Sequence, residues 1–177
     1  MTALRRIRIA SVAAALLGAL LCLAPACVQY RLGSMLPADI KTVHVPTCVN
    51  RTTEPFLEQD TTSAILAALQ MDGALKVVPE SQADTILDIT ITDFWLDPVS
   101  YVSGEASTAN EYRMNIRASI VLRRRIGNDV VLEQNDIVGY KDFDFTGDLT
   151  SSKNIALRPA AEDLGRRIVN AIVQYWP

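Results

Sequence analysis

Few side chains in this sequence are placed to do chemistry, and the best placed is a thiol. Cys27 stands directly after Ala24-Pro25-Ala26, which follow a basic start of Arg5, Arg6 and Arg8 and the apolar run from Ile9 to Leu23. Charged, then apolar, then small is the order of an export signal. The run is about 15 residues, short of the ~20 that a membrane-spanning helix needs, so removal is favoured over retention. A cysteine just after the cut is what lipoprotein processing uses. Its sulfur takes a diacylglyceryl group, and the new amino terminus is then acylated. That pathway prefers Leu three residues before the cysteine, whereas Ala24 stands there and Leu23 is one place early. Lipidation at Cys27 is the favoured reading. Ordinary cleavage remains the alternative, because Ala24-Pro25-Ala26 also satisfies the small-x-small rule. Cys22 is a weaker candidate, since Leu20 and Leu21 crowd the site before it.

Catalytic groups are sparse. His44 is the one histidine and lies within a strand pattern, where packing or exposure is a more common role than base catalysis. No G-x-S-x-G elbow occurs, and a histidine-based zinc site has no second histidine. No enzyme activity, metal or cofactor is expected. Asp142, Asp144, Thr146 and Asp148 alternate around Gly147 like the opening of a calcium loop, but the twelfth position is Lys153 rather than Glu. Phe143 and Phe145 alternate with the aspartates as a strand end would, and that reading is preferred. The remaining candidates are cationic. Arg123, Arg124 and Arg125 sit at a hairpin tip, with Arg113 and Arg117 on the polar face of the same strand and Lys141 as a weaker addition. Guanidinium geometry suits the phosphates of an anionic glycolipid. Consecutive strand residues point to opposite faces, so the three tip arginines splay. A solvated turn that discourages edge pairing accounts for them equally well.

Composition narrows the partners. The 177-residue chain carries a formal charge of −3. Removal of residues 1–26 takes three arginines and no acid, leaving 151 residues at −6. That length is enough for one domain with a real core. An acidic domain is a poor general binder of nucleic acid, and any anionic ligand needs a local basic cluster. After export, Cys27 and Cys48 remain. If Cys27 carries lipid, Cys48 is expected as a buried small hydrophobe; if not, a Cys27–Cys48 disulfide is open. The expected organisation is a signal peptide over 1–26, a lipidated tether over 27–37 and a single domain over 38–177.

The elements that must position these groups read as strand, helix, three or four strands, helix. Asp39 to Pro46 is a first strand. Pro55 opens a helix that Gly73 closes, with Leu57, Thr61, Ala64, Ile65, Ala68 and Leu69 on one face. Ala74 to Val78 is a short strand and Ala83 to Leu96 a longer one. In the longer strand Leu87, Ile89 and Ile91 share a face, the phase fails at Phe94-Trp95-Leu96, which predicts a bulge, and Asp97-Pro98 ends it. Val99 to Asn110 reads as a mobile loop. Tyr112 to Arg123 alternates cleanly between apolar and polar, as in an antiparallel sheet covered on one side. Gly127-Asn128 is a hairpin turn. A two-residue turn would put Leu122 beside Glu133, so a longer loop or a bulge is expected. Val130 to Phe143 returns, with Val130, Leu132, Val138 and Tyr140 in one phase. Asp142 to Lys153 is a polar loop, and Pro159 opens the last helix, with Ala161, Leu164, Ile168, Ala171, Ile172 and Tyr175 as its buried stripe. The fold class is α+β: a two-layer sandwich, two helices on one face of a mainly antiparallel sheet of four or five strands.

Several segments in this order resemble the LPS-assembly lipoproteins of the LptE family. They are Cys27-Val-Gln-Tyr30-Arg-Leu32, Ile40 to Pro46, Asn50-Arg-Thr-Thr-Glu-Pro55, Ala83-Asp84, Glu111-Tyr-Arg113 and Ala161-Glu-Asp-Leu164. The resemblance spans nearly all of Cys27 to Pro177. It implies a non-catalytic outer-membrane lipoprotein, facing the periplasm and held by its lipid anchor. Such a protein plugs the LPS translocon β-barrel (LptD), helps it assemble and contacts LPS. Val28 after the cysteine, rather than Asp, fits the family's sorting to the outer membrane. The polar helix backs fit a wet barrel interior. No family binding residue maps onto this chain by motif, so the arginine candidates rest on residue chemistry alone. The alternative is a lipid-anchored binding module or activator for another envelope-assembly pathway.

Overall fold

The computed structural model describes residues 36–37, 39–101 and 109–174. Residues 1–26, Cys27, most of the tether and Tyr175 lie outside that range. The described elements are β1 (Thr42–His44), β2 (Val49–Asn50), α1 (Leu57–Asp72), β3 (Lys76–Val77), a 3-10 turn (Glu80–Gln82), β4 (Thr85–Tyr101), β5 (Ala109–Arg124), β6 (Val130–Asp144) and α2 (Leu149–Gln174). The sheet runs β3-β1-β4-β5-β6, with β2 also paired to β4. It is α+β as expected, with six strands rather than four or five. The extra strand is the two-residue β2, too short for periodicity to reveal. The long strands β4, β5 and β6 are antiparallel, while β1 and β2 run parallel to β4.

Alternation in β5 divides the sheet. Met114, Ile116, Ala118, Ile120 and Leu122 are buried under the helices. In β4, Leu87, Ile89 and Ile91 lie opposite Leu122, Ile120 and Ala118. The register then skips Thr92, so Phe94 and Leu96 rejoin the covered face opposite Ile116 and Met114. This is the bulge expected from the failing phase. One expectation is corrected here: Asp97-Pro98 does not end β4, which runs on to Tyr101. Pro98 lies opposite Tyr112 beside a register shift, and no described strand pairs with the other edge of that half of β4. Its missing N–H is therefore tolerated.

The β5–β6 turn closes through the Arg124 N–H, which donates to the Asp129 carbonyl at 2.8 Å. Gly127 and Asn128 take the required positive φ of 89° and 61°. Leu122 faces Leu132 and Arg123 faces Val130, so Val131 is the bulged residue that keeps the core face in phase. A second bulge, at Asn135-Asp136, flips β6 again. The single phase expected for Val130, Leu132, Val138 and Tyr140 is thereby corrected. The buried series passes from Leu132 to Ile137 and Phe143, and Tyr140 turns outward.

Helix α1 buries Leu57, Thr61, Ala64, Ile65 and Leu69 and ends at Gly73 in the left-handed region (φ 76°). For α2 the start is corrected. The helix begins at Leu149, β6 runs to Asp144, and Pro159 lies inside the helix. Asp148 supplies the cap: its carboxylate accepts the N–H of Thr150 at 3.3 Å and of Ser151 at 2.8 Å. Pro159 deprives only the Ile155 carbonyl of a partner, in a turn whose Ile155 side chain is 77% exposed. The layers meet where side chains vanish. A Cβ on Gly139 would stand 2.4 Å from the Leu164 backbone N, and one on Gly165 would stand 3.0 Å from the Ala64 carbonyl carbon. These two glycines let α2 lie directly on β6 and on α1.

Candidate functional site

The face of the sheet that the helices leave open carries most of the arginine candidates. Because β5 alternates, Arg113, Asn115, Arg117 and Arg123 all leave the sheet on this side. Asp93, Trp95 and Asp97 of β4 and Val138, Tyr140 and Asp142 of β6 lie beside them in register. The result is a ladder of cations, carboxylates and rings. Arg113 makes a two-pronged pair with Asp142, Nε to Oδ1 at 2.7 Å and Nη2 to Oδ2 at 2.9 Å, and its guanidinium lies 4.6 Å from the centre of the Tyr140 ring. Arg117 lies 4.9 Å from the Trp95 ring and 3.7 Å from both Asp93 and Asp136. The Trp95 indole N–H donates to Asp97 at 2.9 Å, and Asn115 donates to the same carboxylate oxygen at 3.0 Å.

The three tip arginines separate, as expected for consecutive strand and turn residues. Arg123 pairs with Asp88 on the open face and donates to Asn128. Arg124 pairs with Asp39 at 2.6 Å, and Arg125 donates to the Ala83 carbonyl at 2.7 Å. Lys141 is not part of the ladder, because it shares the strand phase of Gly139 and Phe143, toward the helix side. Each guanidinium thus faces a carboxylate or a carbonyl, Arg117 by charge alone since its buried Nε has no hydrogen-bond partner, and the surface carries alternating charge rather than a positive field. The pairs set the titration. Hydrogen bonds from Arg113 hold Asp142 below the ordinary carboxylate range, and Asp142 raises Arg113 in return. Arg124 lowers Asp39 in the same way.

The polar residues within the motif segments occupy a different set of positions, the joints between elements. The Asp84 carboxylate accepts the N–H groups of Lys41 and Thr42 at 3.0 and 2.9 Å and the Thr42 hydroxyl at 2.8 Å, clamping β1 to the entry of β4. The Thr42 hydroxyl bond is the main cause of its lowered pKa. Asn50 donates to the Glu54 carbonyl and to Glu58, and accepts from both the N–H and the hydroxyl of Thr52. Glu54 then holds Lys153 of α2 at 2.8 Å. Asp163 takes Arg166, Arg167 and the Tyr140 N–H, tying α2 to the edge of β6. Burial alone would raise the Asp163 pKa, but these donors, Arg167 foremost, lower it. Sequence reasoning missed the role of Asp163; its one signal was the cluster of Asp163, Arg166 and Arg167 at helical spacing.

The remaining candidates resolve locally. His44 Nδ1 lies 3.3 Å from the Val78 carbonyl. Asp148 is committed to its helix cap, and Lys153, at the twelfth loop position, to Glu54. Among the described residues no cluster of potential metal ligands occurs. Cys48 is a free, buried thiol in the core, and burial raises its pKa. Cys27 lies outside the described residues.

Comparison with known proteins follows the same lines. No curated protein matches the chain. Among solved structures it is similar to a protein from Xanthomonas campestris at 13% identity, over 78% of this chain and 89% of that one, with a TM-score of 0.52. It is also similar to a minor lipoprotein from Acinetobacter baumannii at 10% identity, over 76% and 93%, with a TM-score of 0.50. At such identities the likeness shows the fold alone. Residues 40–172 match the model of the family LptE, described as lipopolysaccharide-assembly, a span that runs from before β1 to within the last turn of α2 and includes the joints at Asn50, Asp84 and Asp163. With three-quarters of its length inside that match, this chain belongs to the LptE family of lipopolysaccharide-assembly proteins.

Proposed function

We propose that the chain is a non-catalytic lipoprotein of the outer membrane, facing the periplasm, that plugs and helps assemble the LPS translocon β-barrel (LptD) and takes part in LPS transport. The observation that carries this reading is the open sheet face. A two-layer domain usually leaves one sheet face to solvent, and here that face is largely polar and self-neutralised, with Arg113, Arg117 and Arg123 each beside a carboxylate and Trp95, Val138 and Tyr140 set among them. Such a surface stays hydrated inside a water-filled barrel and does not collapse onto its wall. Affinity isolation from detergent-solubilised envelopes tests it: an outer-membrane β-barrel should co-purify. Recovery of a cell-wall synthase in its place would move the assignment to the alternative envelope pathway.

Anchoring belongs to the same proposal: residues 1–26 are removed and Cys27 is acylated. The burial of Cys48 supports this, because a thiol in the core is a poor disulfide partner for a tether cysteine. An intact mass carrying a diacylglyceryl group is expected. A bare polypeptide with the two sulfurs joined is the contrary result.

For LPS contact, the candidates are Arg113, Arg117, Arg123, Arg124 and Arg125. Exposed pairs exchange partners at little cost, so phosphates compete with Asp88 and Asp39 for the tip arginines. Arg123→Ala with Arg125→Ala should weaken LPS binding and leave the residual binding less dependent on salt. Unchanged binding at low salt removes these residues from the ligand surface.

A further inference from the structure

A sheet that does not close on itself ends in strands with unpaired N–H groups, and each such edge invites another strand. Here the outermost strand on one side, β3, is two residues long, begins with the exposed Lys76 and is followed closely by Pro79. β2, which pairs with β4 further along than β1 does, is also two residues. Edges this short offer a partner no ladder.

The two long edges are closed by side chains. Beyond Ile91 no described strand covers β4. The Ile91 carbonyl still accepts the Arg51 N–H at 3.0 Å, and the bulge at Thr92 passes the outward-facing backbone positions to Phe94, Leu96 and Pro98. The Phe94 N–H donates to the carboxylate of its own neighbour, Asp93, at 2.9 Å, and Pro98 has no N–H to offer. Leu96 alone is left to supply a ladder N–H between them. On the other side β6 is the outermost strand, and its 15 residues make the longest free edge. Its Tyr140 N–H points away from β5 and donates to Asp163 Oδ2 of α2 at 3.1 Å. Asp163 is fixed from its own helix, since Arg167 Nε binds the same oxygen at 2.6 Å and Arg166 Nη2 binds the other at 3.0 Å. Gly139, one residue before Tyr140, lets the Leu164 backbone lie against the strand and so puts Asp163 within reach. Nearer the hairpin, the Asn135-Asp136 bulge, with Asp136 at φ 59°, interrupts the same edge.

We propose that every described edge of the sheet is closed to a further strand, that Asp163 is the residue that closes β6, and that the domain therefore meets protein partners through side chains rather than by sharing a strand. The proposal goes beyond the barrel-plug reading and stands on backbone geometry whatever the partner. Short strands, a neighbouring carboxylate, a proline and a helix-borne carboxylate are unrelated devices with one common effect. Loss of Asp163 uncovers β6 for a strand always present at equal concentration, the β6 of a second copy, which can pair with it about a two-fold axis.

The full-length protein in detergent tests this. Asp163→Ala, checked to keep the near-ultraviolet spectrum of the fold, should self-associate about tenfold more tightly than the wild type by sedimentation, and its Tyr140 amide should exchange about tenfold faster when dilute. Two controls should match the wild type. Asp163→Asn keeps an acceptor over the Tyr140 N–H, and Arg166→Ala with Arg167→Ala removes both ion pairs but leaves the carboxylate. A folded Asp163→Ala that associates no more than the wild type overturns the proposal, and so does association of either control equal to that of Asp163→Ala. If Asp163→Ala fails to fold, Asp93→Ala with Pro98→Ala decides the matter. That variant reopens the β4 edge and should self-associate, and a folded form with no added association overturns the proposal.

Discussion

On one face of β5, Met114, Ile116, Ala118, Ile120 and Leu122 are fully buried beneath α2 and its neighbours. On the other, at the same strand spacing, Arg113, Arg117 and Arg123 meet water and acids. The covered face has no slack, since even one added methyl group at Gly139 would enter the Leu164 backbone. The open face consists of paired charges whose side chains remain partly solvated, and exposed pairs contribute little to stability. One strand thus has a structural side and a side free to change partners.

The sharpest way to break that contrast is at the covered face. Gly139→Ala should cost about 3 kcal/mol, because backbone rather than a flexible side chain blocks the new Cβ. A urea midpoint equal to the wild type's would mean that α2 does not rest on β6. Next comes the joint at Asp84. Asp84→Asn should lose about 1–2 kcal/mol at neutral pH and blunt acid unfolding. The sign follows from the native pKa, which lies below the unfolded one. The stabilisation is full well above the ordinary value near 3.9 and is lost as pH falls through it toward the native value. Melting curves between roughly pH 6 and pH 3 read this directly; an unchanged pH slope in the variant rejects the clamp.

A smaller effect has the opposite sign. The Thr61 hydroxyl is buried in α1 without a hydrogen-bond partner, so Thr61→Val should stabilise the domain by about 1 kcal/mol. Destabilisation would show that the hydroxyl has a partner in solution. The smallest effect belongs to the open face: Arg113→Ala should leave the urea midpoint where it is, despite the two-pronged bond to Asp142. A marked loss would mean that the ladder is structural after all, and the division of the sheet would fall.

Legibility followed the same division. The alternation of β5, the helical stripe of α1 and the failing phase in β4 were all readable, because each reports a period within one element. The start of α2 was not. Pro159 is a strong local signal, and Asp148 outcompeted it by capping a helix that begins ten residues earlier. The second half of β6 was misphased because the Asn135-Asp136 bulge exists only in relation to β5. The arginines were visible as candidates, while their acceptors, Asp39, Asp88 and Asp142, come from distant positions.

The sequence by itself determined the class of fold, the apolar faces and the family, since these depend on residue type at short spacing and on the order of segments. Tertiary structure alone decided which carboxylate meets which guanidinium and why Gly139 has no side chain. Those facts depend on register and on helix placement, which arise only when elements far apart in the chain pack together.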